Sequence, residues 1–307
     1  MKDPFSVRVI RNIIYYSWIY PFSFIKKHTT TSFNQNIYIF GISRGGSTIL
    51  LESLNVGLPK STKLWEPIAG GFIKIKKLRK WNFTTLPIIP ENNKNTELLS
   101  SFDSILRGGH LNLSMTYVND SLVSIPLNKH LIFKFCRGNN LLPWLVNNFD
   151  INSILLLRGP YQTINSQINH GAYKHLMHDP SFNIPKTTPF LEEYKKFKEV
   201  IDQCKTPEEH LAIKWSINMQ IVKHHQHNKK WLTIFYEDLI NQPEVEFKRI
   251  KEYTSLPIDI KKSVGRLNST SSSGSTGGKS RLSKKQLKNI DEILKKMNLL
   301  EFTRKHF

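Results

Sequence analysis

The sequence is poor in cysteine and in acid. Only two cysteines occur among 307 residues, Cys136 and Cys204. Two cannot build a disulfide framework, and no CxxC pair points to zinc. A reducing, cytoplasmic setting is the simpler expectation. Asp and Glu number 24 against 44 Lys and Arg, which leaves a net charge of +20. A field of that sign attracts nucleotides, nucleic acids, acidic glycans and anionic membranes alike, so it fixes the partner's sign and not its identity. No basic motif interleaved with aromatics is present, which argues against nucleic acid as the partner. His, Cys and acidic residues nowhere take up familiar metal-ligand spacing, so no metal is expected. Long apolar runs are also scarce. Val9–Phe24 is apolar and aromatic, but Arg11 interrupts it and Pro21 lies near its end. A bilayer-spanning helix needs about 20 predominantly apolar residues, and no small-residue cleavage site marks a signal peptide. Residues 1–35 are therefore expected to be an N-terminal extension forming a packed surface helix. Lys26 and Lys27 after the apolar stretch leave peripheral membrane attachment open as the less favoured reading.

Hydrophobic residues make up 39% and charged residues 22%. That balance supports a folded chain with a sizeable core. Short, nearly continuous apolar runs at Asn36–Phe40, Leu131–Phe135, Ser153–Leu157 and Trp231–Phe235 read as buried parallel strands. Helical patterns follow Gly46 and Pro160 and cover Asn139–Asn148, Phe190–Cys204, Pro207–His227 and Ser283–Met297. The alternation predicts an α/β fold of three layers, a mostly parallel central sheet with helices on both faces. Residues 36–307 make one such domain. The segment Asn268–Ser280, NSTSSSGSTGGKS, is low in complexity and reads as a flexible loop before the last helix.

Two motifs carry the chemistry. In Asn36–Leu54, NIYIFGISRGGSTILLESL, a strand runs into a glycine-rich turn and then an amphipathic helix. This is the geometry of a P-loop-like phosphate-binding loop, in which glycines admit the anion to the free N–H groups and positive dipole end of the helix; an ordinary strand–turn–helix with glycine for tight packing is the alternative. Gly41, Gly46 and Thr48 match a Walker A loop, but its lysine position is Ser47, and the cation lies earlier at Arg44. Phosphate binding without β/γ hydrolysis is the consequence. In Ser153–Gly171, SILLLRGPYQTINSQINHG, a strand ends at Arg158 and Ser166 follows eight residues later on a helix. The guanidinium fork suits a second phosphate.

The first motif resembles the 5′-phosphosulfate loop of sulfotransferases that use 3′-phosphoadenosine 5′-phosphosulfate (PAPS), often written R-S-G-T-T. Gly45 and Ser47 depart mildly from that pattern. Arg44, where the small-molecule cytosolic branch has lysine, is more like the carbohydrate and tyrosyl-protein branches. The second motif resembles the 3′-phosphate site of the same family. The resemblance runs from about Asn36 to Phe302. It implies PAPS as co-substrate and no metal requirement. Arg44, Gly45, Gly46, Ser47 and Thr48 would hold the phosphosulfate, and Arg158 and Ser166 the 3′-phosphate. Tyr236 in WLTIFYEDL would lie near the nucleotide, with a partly buried packing role as the alternative. Ser271 and Lys279, with Ser269 and Ser280, would reach phosphate from a lid-like loop.

In-line sulfuryl transfer needs a base for the acceptor's proton. Glu66 in KLWEP sits at the separation from Arg44 that the base has in the carbohydrate and tyrosyl-protein branches. Pro67 favours an extended Glu66 at a strand end or loop. His170, His175 and His178 are the rival bases; His224, His225 and His227 read as structural. The basic run Lys74–Lys80 is either a solvated face or a docking patch for an acidic acceptor, and Lys134 and Arg137 stand at another strand end. The implied function is in-line transfer from PAPS to a hydroxyl, with an amine as the alternative, of an acceptor that is foremost a carbohydrate, with another hydroxyl compound as the alternative, neutral or acidic. The alternatives are a P-loop kinase or nucleotidase, and a non-catalytic basic protein that binds anionic glycan or nucleic acid.

Overall fold

The computed structural model describes residues 5–30, 32–68, 78, 81, 87–111, 115, 127–177, 191–225, 229–271 and 282–307. Its five strands are β1 (Ile37–Gly41), β2 (Ser61–Trp65), β3 (His130–Phe135), β4 (Asn152–Leu157) and β5 (Leu232–Phe235). They form one sheet in the order β2-β3-β1-β4-β5, with every pairing parallel. Four of these strands are the apolar runs read from the sequence. The fifth, β2, alternates half-buried and buried side chains because it is an edge strand, and it lacks the continuous apolar signature of the others.

Successive strand residues point to opposite faces, and the two faces differ in character. Tyr38, Phe40, Phe133, Phe135, Leu155 and Leu157 join one core. Ile37, Ile39, Ile132, Ile154, Leu156 and Ile234 join the other. On the aromatic face the β1–β3 register sets Tyr38 beside Phe133 and Phe40 beside Phe135. Their rings stack at 5.3 and 4.9 Å between centroids.

The helices used below, in chain order, are α1 (Phe5–Ile14), α2 (Tyr20–Thr29), α3 (Ser47–Gly57), α4 (Thr96–Leu106), α5 (Leu142–Asn148), α6 (Pro160–Ile168), α7 (Pro207–His224), α8 (Tyr236–Asn241), α9 (Pro243–Thr254), α10 (Ile260–Ser271) and α11 (Lys284–Lys296); shorter ones cover Leu191–Lys195, Lys198–Asp202 and Leu300–His306. Phe102 of α4, Trp144 of α5, Ile164 of α6, Trp215 of α7 and Ile290 of α11 cover the aromatic face. Leu50 of α3, Leu239 of α8, Phe247 of α9 and Leu267 of α10 cover the aliphatic one. The result is the three-layer α/β architecture expected. Local chemistry fixes several helix starts: Thr206 and Glu209 form a capping box with Pro207 in the first turn of α7, and Ser283 and Gln286 cap α11 in the same way.

Several boundaries differ from the sequence expectation. The span Phe190–Cys204 holds two short helices, Leu191–Lys195 and Lys198–Asp202, instead of one. The helix expected over Pro207–His227 ends at His224, and Asn139–Asn148 opens with a 3-10 turn over Asn139–Leu141. Of the loop expected over Asn268–Ser280, the residues Asn268–Ser271 instead end helix α10, and the remainder lies outside the described residues. Packing overrides the weak helix propensity there: Leu267 is fully buried, and Arg266 pairs with Glu52 of α3. The N-terminal extension is helical over Phe5–Thr29; among its described side chains Ile14, Trp18 and Phe33 pack on the core, while Tyr16, Tyr20 and Phe24 are exposed.

Helices α3 and α10 cross closely at Gly57, whose carbonyl accepts from the Asp259 N–H at 2.9 Å. A Cβ at Gly57 would lie 1.9 Å from Ser263 Oγ and 2.8 Å from the Asp259 carbonyl oxygen. Gly57→Ala is therefore expected to cost about 1–3 kcal/mol through overpacking, measured as a lower urea midpoint at unchanged slope.

Candidate active site

All five strands are parallel, so their carboxyl ends share one rim. Ligands of such sheets bind there. β1 ends at Gly41 on this rim, and the chain turns through Ile42–Gly46 into α3. The Gly45 N–H closes the turn onto the Ile42 carbonyl at 2.8 Å. Arg44 and Gly46 both take left-handed backbone conformations, with φ of 68° and 93°. Gly46 caps α3 without any side-chain hydrogen bond. The N–H groups of Gly46, Ser47 and Thr48 consequently have no acceptor among the described residues. An open helix terminus of this kind is a ready anion site.

Tyr236, the first residue of α8, explains why position 46 must be glycine. A Cβ there would lie 2.2 Å from Tyr236 Cδ2, so the ring packs flat against the loop. Its other neighbour is the Arg158 guanidinium, 4.3 Å from the ring centroid. Arg158 also donates to the Arg44 carbonyl at 3.1 Å, and Arg44 Nε donates to Ser166 Oγ at 3.2 Å. The two motifs, more than a hundred residues apart in sequence, thus form one continuous surface. Arg158 Nε is buried and has no hydrogen-bond partner among the described residues. The Trp215 indole fixes the Arg158 backbone from α7, donating to its carbonyl at 3.0 Å.

A second constellation stands where β2 and β3 end. Lys134 is 1% exposed. Its ammonium donates to Thr48 Oγ1 at 3.0 Å and sits 3.9 Å over the Trp65 ring. Burial lowers its pKa, while Cys136 and Glu66 pull the value back up. Glu66 follows β2 directly. Its N–H donates to the Lys134 carbonyl at 2.9 Å, and its Oε1 accepts from the Cys136 N–H at 2.9 Å. Its Oε2 is buried with no partner among the described residues. Burial raises the Glu66 carboxyl above its ordinary range, against the hydrogen bonds from Cys136 and the charges of Lys134 and Arg137. The expected extended conformation is corrected: Glu66 does stand at a strand end, but with φ of 43°. The backbone turns off β2 there so that the carboxylate meets the end of β3. The Cys136 thiol lies 3.2 Å from Ser47 Oγ, and burial pushes its pKa up to about 12, so it stays neutral.

Arg44, Gly45, Gly46, Ser47, Thr48, Glu66, Arg158, Ser166 and Tyr236 therefore meet at one rim. Ser271 closes α10, and Lys279 lies outside the described residues, as do His178, His227 and most of the run Lys74–Lys80. His170 is exposed and stacks edge-on against Tyr173, 6.1 Å away. His225 pairs with Glu91 at 2.8 Å, in keeping with a structural role. Sequence reasoning gave Lys134 little weight and passed over Lys214. Burial and the nearby charge of Arg137 lower the Lys214 pKa to about 8. A lysine inside the β-run LIFKF was a usable signal for Lys134; Lys214 lies on a helix with no motif around it.

Residues 34–304 match the sulfotransferase domain family. The chain belongs to that family, and as a member it is a PAPS-dependent sulfotransferase. The kinase, nucleotidase and non-catalytic readings fall away. No curated protein matches the chain. Among solved structures, mouse sulfotransferase SULT7A1 complexed with PAP is 12% identical over 89% of both chains, with a TM-score of 0.45. A sulfotransferase from Alicyclobacillus acidocaldarius is 13% identical over 87% of this chain and 94% of its own, at 0.41. Retinol dehydratase in a complex with retinol and PAP is 12% identical over 86% and 81%, also at 0.41. At these scores the likenesses add no weight to the family match.

Gly46→Ala places a methyl inside the Tyr236 ring on a backbone that L side chains rarely adopt. It is expected to lower stability by about 1–3 kcal/mol and to change the tyrosine near-ultraviolet circular dichroism, read together with the melting temperature.

Proposed function

We propose that this sulfotransferase moves the sulfuryl group of PAPS to a hydroxyl, or an amine, of a carbohydrate acceptor, with Glu66 as the general base. One observation carries the proposal. Glu66 has one oxygen fixed by the Cys136 N–H and the other buried without a partner, at the rim where Lys134 reaches the phosphate loop.

PAPS supplies an activated sulfuryl group and a good leaving group, and the remaining tasks fall to this chain. The open N–H groups of Gly46, Ser47 and Thr48 bind anionic oxygens at the start of α3. Arg44 and Lys134 add positive charge where negative charge grows in the transition state. Arg158 and Ser166 hold the 3′-phosphate. The buried, unpaired Nε of Arg158 fits that assignment, since such donors are rarely left without an acceptor. Tyr236 wedges Arg158 against the loop and so acts through it. Glu66 Oε2 takes the acceptor's proton, and its raised pKa brings it closer to the working pH of a general base. The neutral Cys136 thiol does not compete for that proton.

The carbohydrate is supported by the Glu66–Pro67 pair after Trp65, similar to the carbohydrate branch, while Arg44 in the phosphate loop is similar to the carbohydrate and tyrosyl-protein branches alike. Arg137 is exposed and half-buried Lys214 stands within its field, which favours an acceptor bearing a carboxylate or sulfate. Label from PAPS should appear on uronic-acid or sulfated glycans. Transfer to phenols or sterols with none to any glycan would overturn the acceptor class.

Glu66→Gln is expected to lower kcat/KM by about 10²–10⁴-fold while leaving the affinity for adenosine 3′,5′-bisphosphate unchanged. In the wild type, activity is lost as pH falls through a value above the ordinary glutamate pKa of 4.5, and the variant loses that acid limb. A folded-state pKa raised by burial means the carboxylate weakens the fold at neutral pH. The variant should accordingly be at least as stable as the wild type at pH 7, checked by urea unfolding.

Arg158→Ala should weaken binding of adenosine 3′,5′-bisphosphate by about 10- to 100-fold, as expected for a charged hydrogen-bond partner. AMP, which has no 3′-phosphate, should bind the variant and the wild type alike. Titration calorimetry decides this, and an equal loss for both nucleotides would remove Arg158 from the 3′-phosphate site.

A further inference from the structure

The geometry points to the N-terminal helix as a surface that lies on an anionic lipid bilayer. Residues 5–29 run without a break from α1 through a π turn, Tyr15–Ile19, into α2. At about 1.5 Å per residue the rod is roughly 35 Å long. One side faces the protein: Ile14 and Trp18 pack on the core, Ser23 is buried, and Lys26 donates to the carbonyls of Asn128 and Lys129. The opposite side presents Val9, Ile13, Tyr16, Tyr20 and Phe24, with Ile10 and Ile25 at its flank, all between 40% and 68% exposed. Their spacing of four, three, four and four residues keeps them on one stripe.

Two features select the occupant. Residues 5–29 contain no Asp or Glu, while Arg8, Arg11, Lys26 and Lys27 are all basic. The stripe is aromatic as well as aliphatic, and Tyr, Trp and Phe settle at the depth of lipid headgroups. An apolar stripe on a helical segment whose charged residues are all basic is the pattern of a helix lying in the plane of an anionic membrane surface. A second copy of the chain is a poor partner, because each copy carries +20 and would meet the other's basic flank. The rod lies on the surface and does not cross it, since no described helix is long and apolar enough to span. Lys26 fastens the rod beside Asn128 and Lys129, next to the start of β3. Glu66 and Lys134 stand at the other end of that strand, so occupying the stripe leaves the catalytic rim open.

The test is co-sedimentation of the full chain with vesicles of phosphatidylcholine alone and of phosphatidylcholine mixed with phosphatidylserine. The wild type should bind the mixed vesicles, bind the neutral ones weakly, and release with added salt. A Tyr16→Glu/Phe24→Glu double variant should lose at least about tenfold in vesicle affinity and still bind adenosine 3′,5′-bisphosphate, which shows it is folded. Failure of the wild type to bind the mixed vesicles, or equal binding by the variant, would overturn the proposal. So would a wild-type dimer by light scattering that the double variant converts to monomer without any vesicle binding, since the stripe would then belong to a second copy.

Discussion

A lysine ammonium held almost entirely out of water between a sheet and a helix must find compensation on every side. Lys134 is that residue, and the site is arranged around it. It projects from β3 toward the aliphatic face, with Ile39 of β1 and Trp65 of β2 as its partners in register. Burial pushes it toward its neutral form. What holds the charge is the Trp65 ring, the Thr48 hydroxyl and the nearby Glu66 carboxylate. These partners come from the end of β2, the first turn of α3 and the residue just beyond β2. Meeting the needs of one cation therefore brings the phosphate loop and the candidate base within a few ångströms of each other.

The arrangement stores free energy at the rim. Arg44 and Glu66 both hold positive φ values without being glycine. Glu66 Oε2, Arg158 Nε and Glu237 Oε2 are buried without partners among the described residues. Each costs on the order of 1–3 kcal/mol in the free chain. Buried polar atoms without partners among the described residues also occur elsewhere, Ser53 Oγ and Ser216 Oγ among them, but at the rim they coincide with the positive-φ backbone of Arg44 and Glu66, the pattern of a surface prepared for charged ligands.

Much of this was legible from residue order. Three of the five strands, β1, β3 and β4, declare themselves because central parallel strands are buried on both faces and read as unbroken apolar runs, and β5, though at an edge and largely half-buried, keeps an apolar and β-branched run. The glycine-rich turn and the Arg158–Ser166 pair announce anion sites because their chemistry is local: a strand end, a turn and the first turns of a helix. Edge strand β2 was not legible, since one of its sides is partly solvated and its pattern is mixed. The helical reach of α10 to Ser271 was not either, because Leu267 and the Arg266–Glu52 pair outweigh what Asn-Ser-Thr-Ser prefers alone.

The sequence by itself determined the family, the class of fold and the two phosphate-binding segments, because each depends on residues close together in the chain. Only the tertiary structure decided that Arg44 bonds Ser166, that Tyr236 wedges between Gly46 and Arg158, that Glu66 turns off its strand to meet the Cys136 N–H, and that Lys134 lies buried beneath the loop. It alone decided as well which side of the N-terminal helix faces water. Those outcomes depend on strand register and on desolvation, which exist only once the parallel sheet has aligned segments distant in sequence.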